Sequence, residues 1–406
     1  MHRAYRYRFY PNDAQAQQLA RTFGCVRYIY NWALDMRSTA WSKDKERVNY
    51  QMTALRLTQL KRQRETGWLN DVSNVALQQS LRHLDKSFAN FFAGRAKYPR
   101  FKSRRDNIQA ASYMTNGFTL VDGRLKLAKH DAPLDVRWSR PLPVDAKISS
   151  VTVTRDAANR YHVSILVDEA VTPLPATDRA VGVDMGLSHL AITSDGQKID
   201  NPKHLARKLA RIQRWQRRLA RKREAAKAAL GLKGKKVPKG TRIPRSNNAA
   251  KMSRRIAKMH AAVRDARRDH LHKVSTIIIR ENQAVCVEDL AVSNMVKNHH
   301  LASAISDAGW RELRSMLEYK AALYGRQFSV VSRWLPSSKR CSACGYTAES
   351  LPLSVREWTC PHCGADHDRD INAARNILSA GLAQLHEHST AGLAGIHACQ
   401  APRGAT

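Results

Sequence analysis

The stretch from Arg340 to Ile377 constrains this chain more than any other, because it sets a pair of metal-binding knuckles directly beside a run of carboxylates. Cys341 and Cys344 form one C-x-x-C pair, Cys360 and Cys363 a second, and each pair is followed by a glycine, Gly345 and Gly364. Glycine permits the tight turn that points both sulfurs of a pair at one ion, so the spacing predicts a zinc ribbon. Asp-His-Asp-Arg-Asp follows at Asp366 to Asp370, and then a short helical stretch from Ile371 to Ala380. Asp370 therefore stands where a helix begins. It is an N-cap or a ligand, and the local pattern leaves both open.

Charge narrows the partner. Lys and Arg number 69 against 34 acidic residues, a formal net charge of +35 and a sequence pI near 10.4. A folded chain with that excess implies a polyanion, and nucleic acid leads. A polybasic membrane protein is the rival, but the start MHRAYRYRFY has no apolar signal region and no stretch approaches the ~18 apolar residues of a spanning helix. The expected location is the cytoplasm, with no membrane partner. The 406 residues suffice for a full core and two or three domains. Four of the seven cysteines lie in the zinc pattern, which suits a reducing compartment. Cys25 and Cys286 are expected as core thiols and Cys399 as a tail thiol.

Residues 2 to 10 alternate Tyr5, Tyr7 and Phe9 with Arg6 and Arg8, a period of two that predicts a strand closed by Pro11 and Asn12. From Asp13 the period becomes helical. Leu19, Phe23, Val26, Ile29 and Trp32 share one face, and Leu77, Leu81, Leu84, Phe88 and Phe91 another, so a helical bundle fills roughly 13 to 95. The basic link RAKYPRFKSRRDN follows, a solvated loop or a track for a phosphate backbone. Two hairpins come next, one turning at Asp122 and Gly123 and one near Asn159. With the first strand they could complete a small barrel interrupted by the helices. Pro173 and Pro175 mark a boundary.

The second half opens with the hairpin RAVGVDMGLSHLAITSDG, whose apolar first strand carries Asp184. Two basic helices, about 203 to 229 and 247 to 281, are joined by a Lys/Gly/Pro linker. Between Asn201 and Lys273 stand 25 Lys and Arg against Glu224, Asp265 and Asp269 alone. Solvation would use both signs, so the polyanion is expected along this pair. QAVCVEDLAVSN reads as a short strand ending in Glu288 and Asp289. Ser306 and Asp307 are expected to cap a helix over AGWRELRSMLEYKAALYG that ends at Gly325. The strand RQFSVVSRW leads into the cysteines, and the last 25 residues show no periodicity, which predicts a disordered tail.

Asp184, Glu288 and Asp370 are distant in sequence, but one sheet could bring two strand ends and a helix start together. Burying an acid within VGVDMGL is costly unless it is paired or binds a metal. Taken singly, Asp184 is a paired core acid or a ligand, Glu288 a surface strand end or a ligand. Three converging carboxylates bind magnesium, and two such ions ~4 Å apart activate a water and stabilise the leaving oxygen in phosphodiester cleavage.

The order GVDMGLSHLAI, VCVEDL, and CSACG…CPHCG running into HDRDINAARNI resembles the TnpB family, the insertion-sequence-encoded ancestors of type V CRISPR effector nucleases. RYRFYPNDAQAQQLARTFGCVRYIYNWAL and ISDAGWRELRSMLEYKA are similar to that family too, so the likeness covers nearly the whole chain to about Ser379. The resemblance implies an α+β multidomain protein. Its N-terminal part would be a wedge β-barrel, oligonucleotide-binding-like, over 1–12 and 107–179, with a helical recognition lobe inserted at 13–106. A RuvC-like nuclease domain of RNase H fold would span 180–335 and 366–380, including the basic helical pair at 201–281. A zinc ribbon would be inserted at 336–365, and 381–406 would be the tail.

The resemblance also implies Asp184, Glu288 and Asp370 as the magnesium-binding catalytic acids. The family pattern selects Asp370 over Asp368 and Glu288 over Asp289. Cys341, Cys344, Cys360 and Cys363 would hold structural zinc. The implied activity is RNA-guided cleavage of double-stranded DNA, with a guide RNA from the transposon end and a short transposon-adjacent motif read by the protein. Tyr50, Asn74 and Gln78 of the recognition lobe, and Arg211, Arg214 and Arg218 of the first basic helix, are the nucleic-acid contact candidates. One protein per RNA is expected. A transposase of the same chemistry would need DNA-end recognition, for which no helix-turn-helix is legible. A catalytically silent RNA-guided repressor is disfavoured by the presence of all three acids.

Overall fold

The computed structural model describes residues 2–398 apart from 105, 145, 239 and 353, with side chains through 387. The chain divides into two compact units at Ala170/Val171.

The first unit begins with β1 (His2–Phe9), whose alternation buries Tyr5, Tyr7 and Phe9. Three helices follow, α1 (Asp13–Asp44), α2 (Tyr50–Leu60) and α3 (Asn74–Phe92), with a 3-10 turn at Arg64–Asp71. A capping box starts α1: the Asn12 side chain accepts from the Gln15 N–H, and the Gln15 side chain accepts from the Asn12 N–H. Leu19, Phe23, Val26 and Ile29 of α1 and Leu77, Leu81, Leu84 and Phe88 of α3 are buried in one core with β1. Each such side chain stabilises by roughly 1.5–3 kcal/mol when fully withdrawn from water.

The strands after the helices are β2 (Ile108–Met114), β3 (Phe118–Val121), β4 (Arg124–Leu127), β5 (Val136–Arg137), β6 (Lys147–Asp156) and β7 (Tyr161–Asp168). Asp122 and Gly123 both take positive φ, 49° and 73°, as a two-residue hairpin turn requires. Five strands form an antiparallel sheet in the order β2-β6-β7-β1-β5, so the helices are indeed inserted between two strands of one sheet. The ladder is open. β3 and β4 are four residues each and pair with one another, which leaves β2 and β5 as edges. Among the described residues the hydrogen bonds thus do not close the barrel expected from the sequence.

The second unit contains β8 (Ala180–Asp184), β9 (His189–Thr193), β10 (Lys198–Asp200), α4 (Ala206–Ala228), α5 (Asn247–Glu281) and β11 (Ala284–Glu288). It continues with α6 (Val292–Met295), α7 (Ala302–Ala308), α8 (Trp310–Tyr324), β12 (Gln327–Val331), β13 (Glu357–Thr359), β14 (Asp366–Asp368) and α9 (Arg369–Ala398). Its sheet runs β10-β9-β8-β11-β12. The first three strands are antiparallel, whereas β11 is parallel to both β8 and β12. Strands buried on both faces read as unbroken apolar runs, which accounts for AVGV and AVCV.

Helix α9 packs across β8, β11 and β12. Gly182 makes that possible: a Cβ there would lie 2.0 Å from the Ala374 carbonyl oxygen and 2.7 Å from the Leu378 nitrogen. Cys25 and Cys286 are buried, as expected, while Cys399 lies outside the described residues.

Two further expectations fail. Residues 381–398 are helical, not a loose tail, because α9 stays docked past Gly381, where an added Cβ would lie 2.4 Å from Cys286 Sγ, to Gln384, whose Oε1 accepts from Ser329 Oγ at 2.8 Å. Residues 399–406 lie outside the described residues. Asp307 does not cap α8, whose N-cap residue is Gly309 and which has no side-chain cap. Its carboxylate instead accepts from the Leu205 N–H at 2.8 and 2.9 Å and the Ala206 N–H at 3.2 Å, so it caps α4 from a distant part of the chain. Ser306 offers its carbonyl oxygen to Arg267 Nη1 at 3.1 Å.

Candidate metal centres

Register brings two of the three acids together. Val183 pairs with Val287, so Asp184 and Glu288 follow side by side at the ends of parallel neighbours, strands about 4.8 Å apart. The first turn of α9, which packs on both strands, carries Asp370. All three carboxylates are partly buried. Burial, then the charges of Glu288 and Asp370, push the Asp184 carboxyl from its ordinary 3.8 up to about 7. Burial, then Asp289, also raises Glu288. Carboxylates that repel one another in a partly desolvated place are relieved by a proton or by a divalent cation, and hard oxygen donors of this kind suit Mg²⁺.

The helix-cap role open to Asp370 is taken by its neighbour. Asp368 Oδ1 accepts from the N–H groups of Asp370 at 3.0 Å and Ile371 at 3.1 Å, so Asp368 serves as the helix cap. Lys198 donates to Asp368 at 2.7 Å. Asp370 is left to face Arg356, whose Nη1 lies 3.4 Å from both its oxygens. Sequence reasoning missed the Asp368 cap and the Arg356 partner. The spacing of two aspartates carried no signal for the first, and Arg356 comes from the loop between the two cysteine pairs.

The four cysteines form the second centre. Their Sγ atoms all lie within 4.8 Å of one another, and among the described residues this is the one set of three or more His, Cys, Asp or Glu donors so tightly grouped. The three carboxylates are set wider. Cys341 and Cys363, and Cys344 and Cys360, are each 3.7 Å apart sulfur to sulfur. Tetrahedral zinc with bonds of about 2.3 Å requires S···S edges of about 3.8 Å, so the sulfurs fit that ion. In each knuckle the glycine N–H returns to the first cysteine's carbonyl at 2.9 Å, with φ of 81° at Gly345 and 73° at Gly364. His367 Nε2 lies 3.0 Å from Cys341 Sγ and its ring packs on Trp358, so the first knuckle is tied to the strand that leads into Asp370.

The remaining candidates are scattered. Tyr50 accepts from Arg82 Nε at 3.3 Å, Asn74 accepts from Lys61 at 3.2 Å and Gln78 is partly buried on α3. On α4, Arg211 and Arg214 are exposed, while Arg218 lies 5.1 Å from the Trp215 ring, which Arg255 of α5 also covers at 4.3 Å. The Arg255 contact thus joins α5 to α4, whereas that of Arg218 stays within α4. No described helix is long and apolar enough to cross a membrane.

Comparison with known proteins bears on all of this. Residues 161–299 match a family described as "Probable transposase", residues 310–377 a "Cas12f1-like, TNB domain", and residues 1–46 a "Helix-turn-helix domain". In this structure the last of these segments is β1 and the single long helix α1. The chain is 52% identical over 381 residues to a Streptomyces pristinaespiralis protein named "Putative RNA-guided DNA endonuclease", covering 94% of this chain and 90% of that one. It is 30% identical over 404 residues to an Escherichia coli K12 protein named "Putative RNA-guided DNA endonuclease InsQ", covering 94% and 93%. Its fold is similar to that in the cryo-EM structure of a Cas12f1-sgRNA-target DNA complex, with TM-score 0.54, 14% identity, and 89% and 82% of the two chains covered. Near-complete alignment at such identity, together with the two C-terminal family matches, means that the chain belongs to the TnpB/IS605 OrfB family.

Proposed function

We propose that this protein is an RNA-guided DNA endonuclease in which Asp184, Glu288 and Asp370 form the hydrolytic site. The observation that carries the reading is the convergence of these acids: burial, then the charges of Glu288 and Asp370, raises the Asp184 carboxyl to about 7. Mg²⁺ bound by the three carboxylates would supply charge neutralisation at the scissile phosphate and a water of lowered pKa, the chemistry of a two-metal nuclease. No nucleophilic side chain is needed. Arg356 orients Asp370, and Asp368, by capping α9, keeps that helix start in place. Zinc on Cys341, Cys344, Cys360 and Cys363 is structural.

The strand order, three antiparallel strands followed by two parallel ones, supports an RNase H-like, RuvC-type nuclease domain over 180–335 and 366–380, with the zinc ribbon at 336–365. In the same reading 1–12 and 107–179 form the wedge element and 13–106 the recognition lobe, with Tyr50, Asn74 and Gln78 near the adjacent-motif duplex. The guide RNA derives from the transposon end and pairs with one target strand, so base pairing carries specificity. The exposed cations of α4 and α5, Arg211 and Arg214 among them, contact the nucleic-acid backbone. The protein works in the cytoplasm on chromosomal DNA, one copy per RNA.

The test begins by purifying the protein from cells and sequencing the RNA that accompanies it. A plasmid library carrying the guide-matched sequence beside randomised flanks is then offered with Mg²⁺. The wild type should cut a subset defined by a short motif, and Asp184→Ala should bind that subset while cutting at least about 10³-fold more slowly. Undiminished cutting by the variant would remove the acids from the mechanism, and joined rather than cut strands would favour a transposase.

A further inference from the structure

The cation that faces Asp370 is firmly held by its main chain and loosely held at its tip. Arg356 Nη1 lies 3.4 Å from both oxygens of Asp370, so the guanidinium stands in front of the carboxylate, equally far from each. Charge-assisted hydrogen bonds of this kind ordinarily close to about 2.7–2.9 Å, and an arginine fork ordinarily offers one nitrogen to each oxygen. Here one nitrogen serves both, from further away. Two other cations nearby are engaged elsewhere: Lys198 donates to Asp368 at 2.7 Å, and Arg369 Nη1 to the Pro352 carbonyl at 2.7 Å.

The Arg369 N–H donates to the Arg356 carbonyl at 2.8 Å, and β13 begins at the next residue, pairing with β14 so that Glu357 stands opposite Asp368. Trp358 of the same strand packs its ring on His367, whose Nε2 meets Cys341 Sγ at 3.0 Å. The main chain of Arg356 is therefore fixed between the cysteine turns and the start of α9. Its side chain is not: 60% of it is exposed, against 26% for Asp370. It is free to leave the carboxylate without opening a void in the core.

Magnesium bonds carboxylate oxygens at about 2.1 Å, well inside the reach of this guanidinium. Two cations in front of the same pair of oxygens repel, so they occupy the carboxylate in turn. We infer that Arg356 is a built-in competitor for the divalent ion at Asp370, which sets the metal concentration at which the carboxylate site fills. A long contact from an exposed side chain suits that role, because such an ion pair contributes little and yields to a dication, whereas a close two-pronged fork would block it. The contact that orients Asp370 is thus also the one that delays its loading. This inference rests on the nuclease reading and concerns how its site is regulated.

The experiment titrates the magnesium-free, zinc-loaded protein with Mn²⁺ and reads the free ion by electron paramagnetic resonance, for the wild type, Arg356→Gln, Asp370→Asn and the double variant. Arg356→Gln should tighten binding about two- to fivefold, the range an exposed ion pair allows, with zinc content unchanged. In the Asp370→Asn background the same substitution should give no measurable tightening, because the group Arg356 contends for is gone. Equal or weaker Mn²⁺ binding by Arg356→Gln overturns the inference and leaves Arg356 a positioning residue alone, with the nuclease reading intact. Tightening of the same size in the Asp370→Asn background also overturns it, since the effect would then be that of a charge at a distance. A wild type without saturable Mn²⁺ binding overturns both the inference and the reading beneath it.

Discussion

The C-terminal unit holds two clusters of candidate metal donors built in opposite ways. The cysteine cluster is local: two tight turns, each closed by a glycine N–H, deliver four sulfurs to one point, with spacings of 3.7 Å that already suit a tetrahedral ion. The carboxylate cluster is global, assembled from the ends of β8 and β11 and the start of α9, and its members are more widely set and repel. A filled shell of four protein ligands serves structure, whereas a looser set of oxygen donors leaves positions for water and substrate. The contrast teaches that the sulfur site should decide whether the domain folds, and the carboxylate site what it does.

Each side of the contrast can be attacked separately. Cys341→Ser should empty the sulfur site, with zinc content falling to near zero by metal analysis and stability dropping by about 4–5 kcal/mol in denaturant unfolding. Full zinc retention would break the contrast at its structural end. Gly182→Ala should come next. Its methyl group would collide with the backbone of α9, so that helix must shift from β8 and carry Asp370 with it. The expected loss is about 3 kcal/mol, with cutting reduced while zinc content is unchanged. Intact cutting would mean that α9 does not set the position of Asp370.

The smallest effect has the opposite sign. The folded Asp184 carboxyl holds its proton up to about pH 7, against 3.8 ordinarily. Ionising it therefore destabilises the fold, by an amount that is absent near pH 4, grows as pH rises to 7 and is constant above. In magnesium-free buffer Asp184→Asn should therefore stabilise the protein by about 1–2 kcal/mol at pH 8, and the gain should shrink towards zero as pH falls from 7 to 4. Thermal unfolding at several pH values measures this. A pH-independent difference would mean that Asp184 feels neither burial nor its neighbours.

How much of this was legible in the sequence follows the same division. The cysteine turns could be read directly, since ligands and glycines lie within one short stretch, and the strand of Tyr5, Tyr7 and Phe9 and the faces of α1 and α3 obeyed their periods. The acids were individually ambiguous: each had an ordinary role available, and only the likeness to a family tied them together. The register of β8 against β11 gives that tie a physical form. Connections between distant residues were not legible. Asp307 caps α4, Asp368 takes the cap beside Asp370, and Asp289 joins Arg314 to Arg333, because a carboxylate's partner is set by packing and leaves no mark on its own sequence neighbourhood. The continuation of α9 past Gly381 was missed because three glycines between 381 and 398 argue against helix, while the contacts that hold it, Gly381 on Cys286 and Gln384 with Ser329, are set by packing.

The most direct measurement is a Mn²⁺ titration of the magnesium-free, zinc-loaded protein, read by electron paramagnetic resonance, for the wild type and for Asp370→Asn. The shared-site account predicts saturable Mn²⁺ binding that weakens at least about tenfold in the variant while zinc content stays the same. Equal Mn²⁺ binding by the two proteins would contradict it, because Asp370 would then share no ion with Asp184 and Glu288.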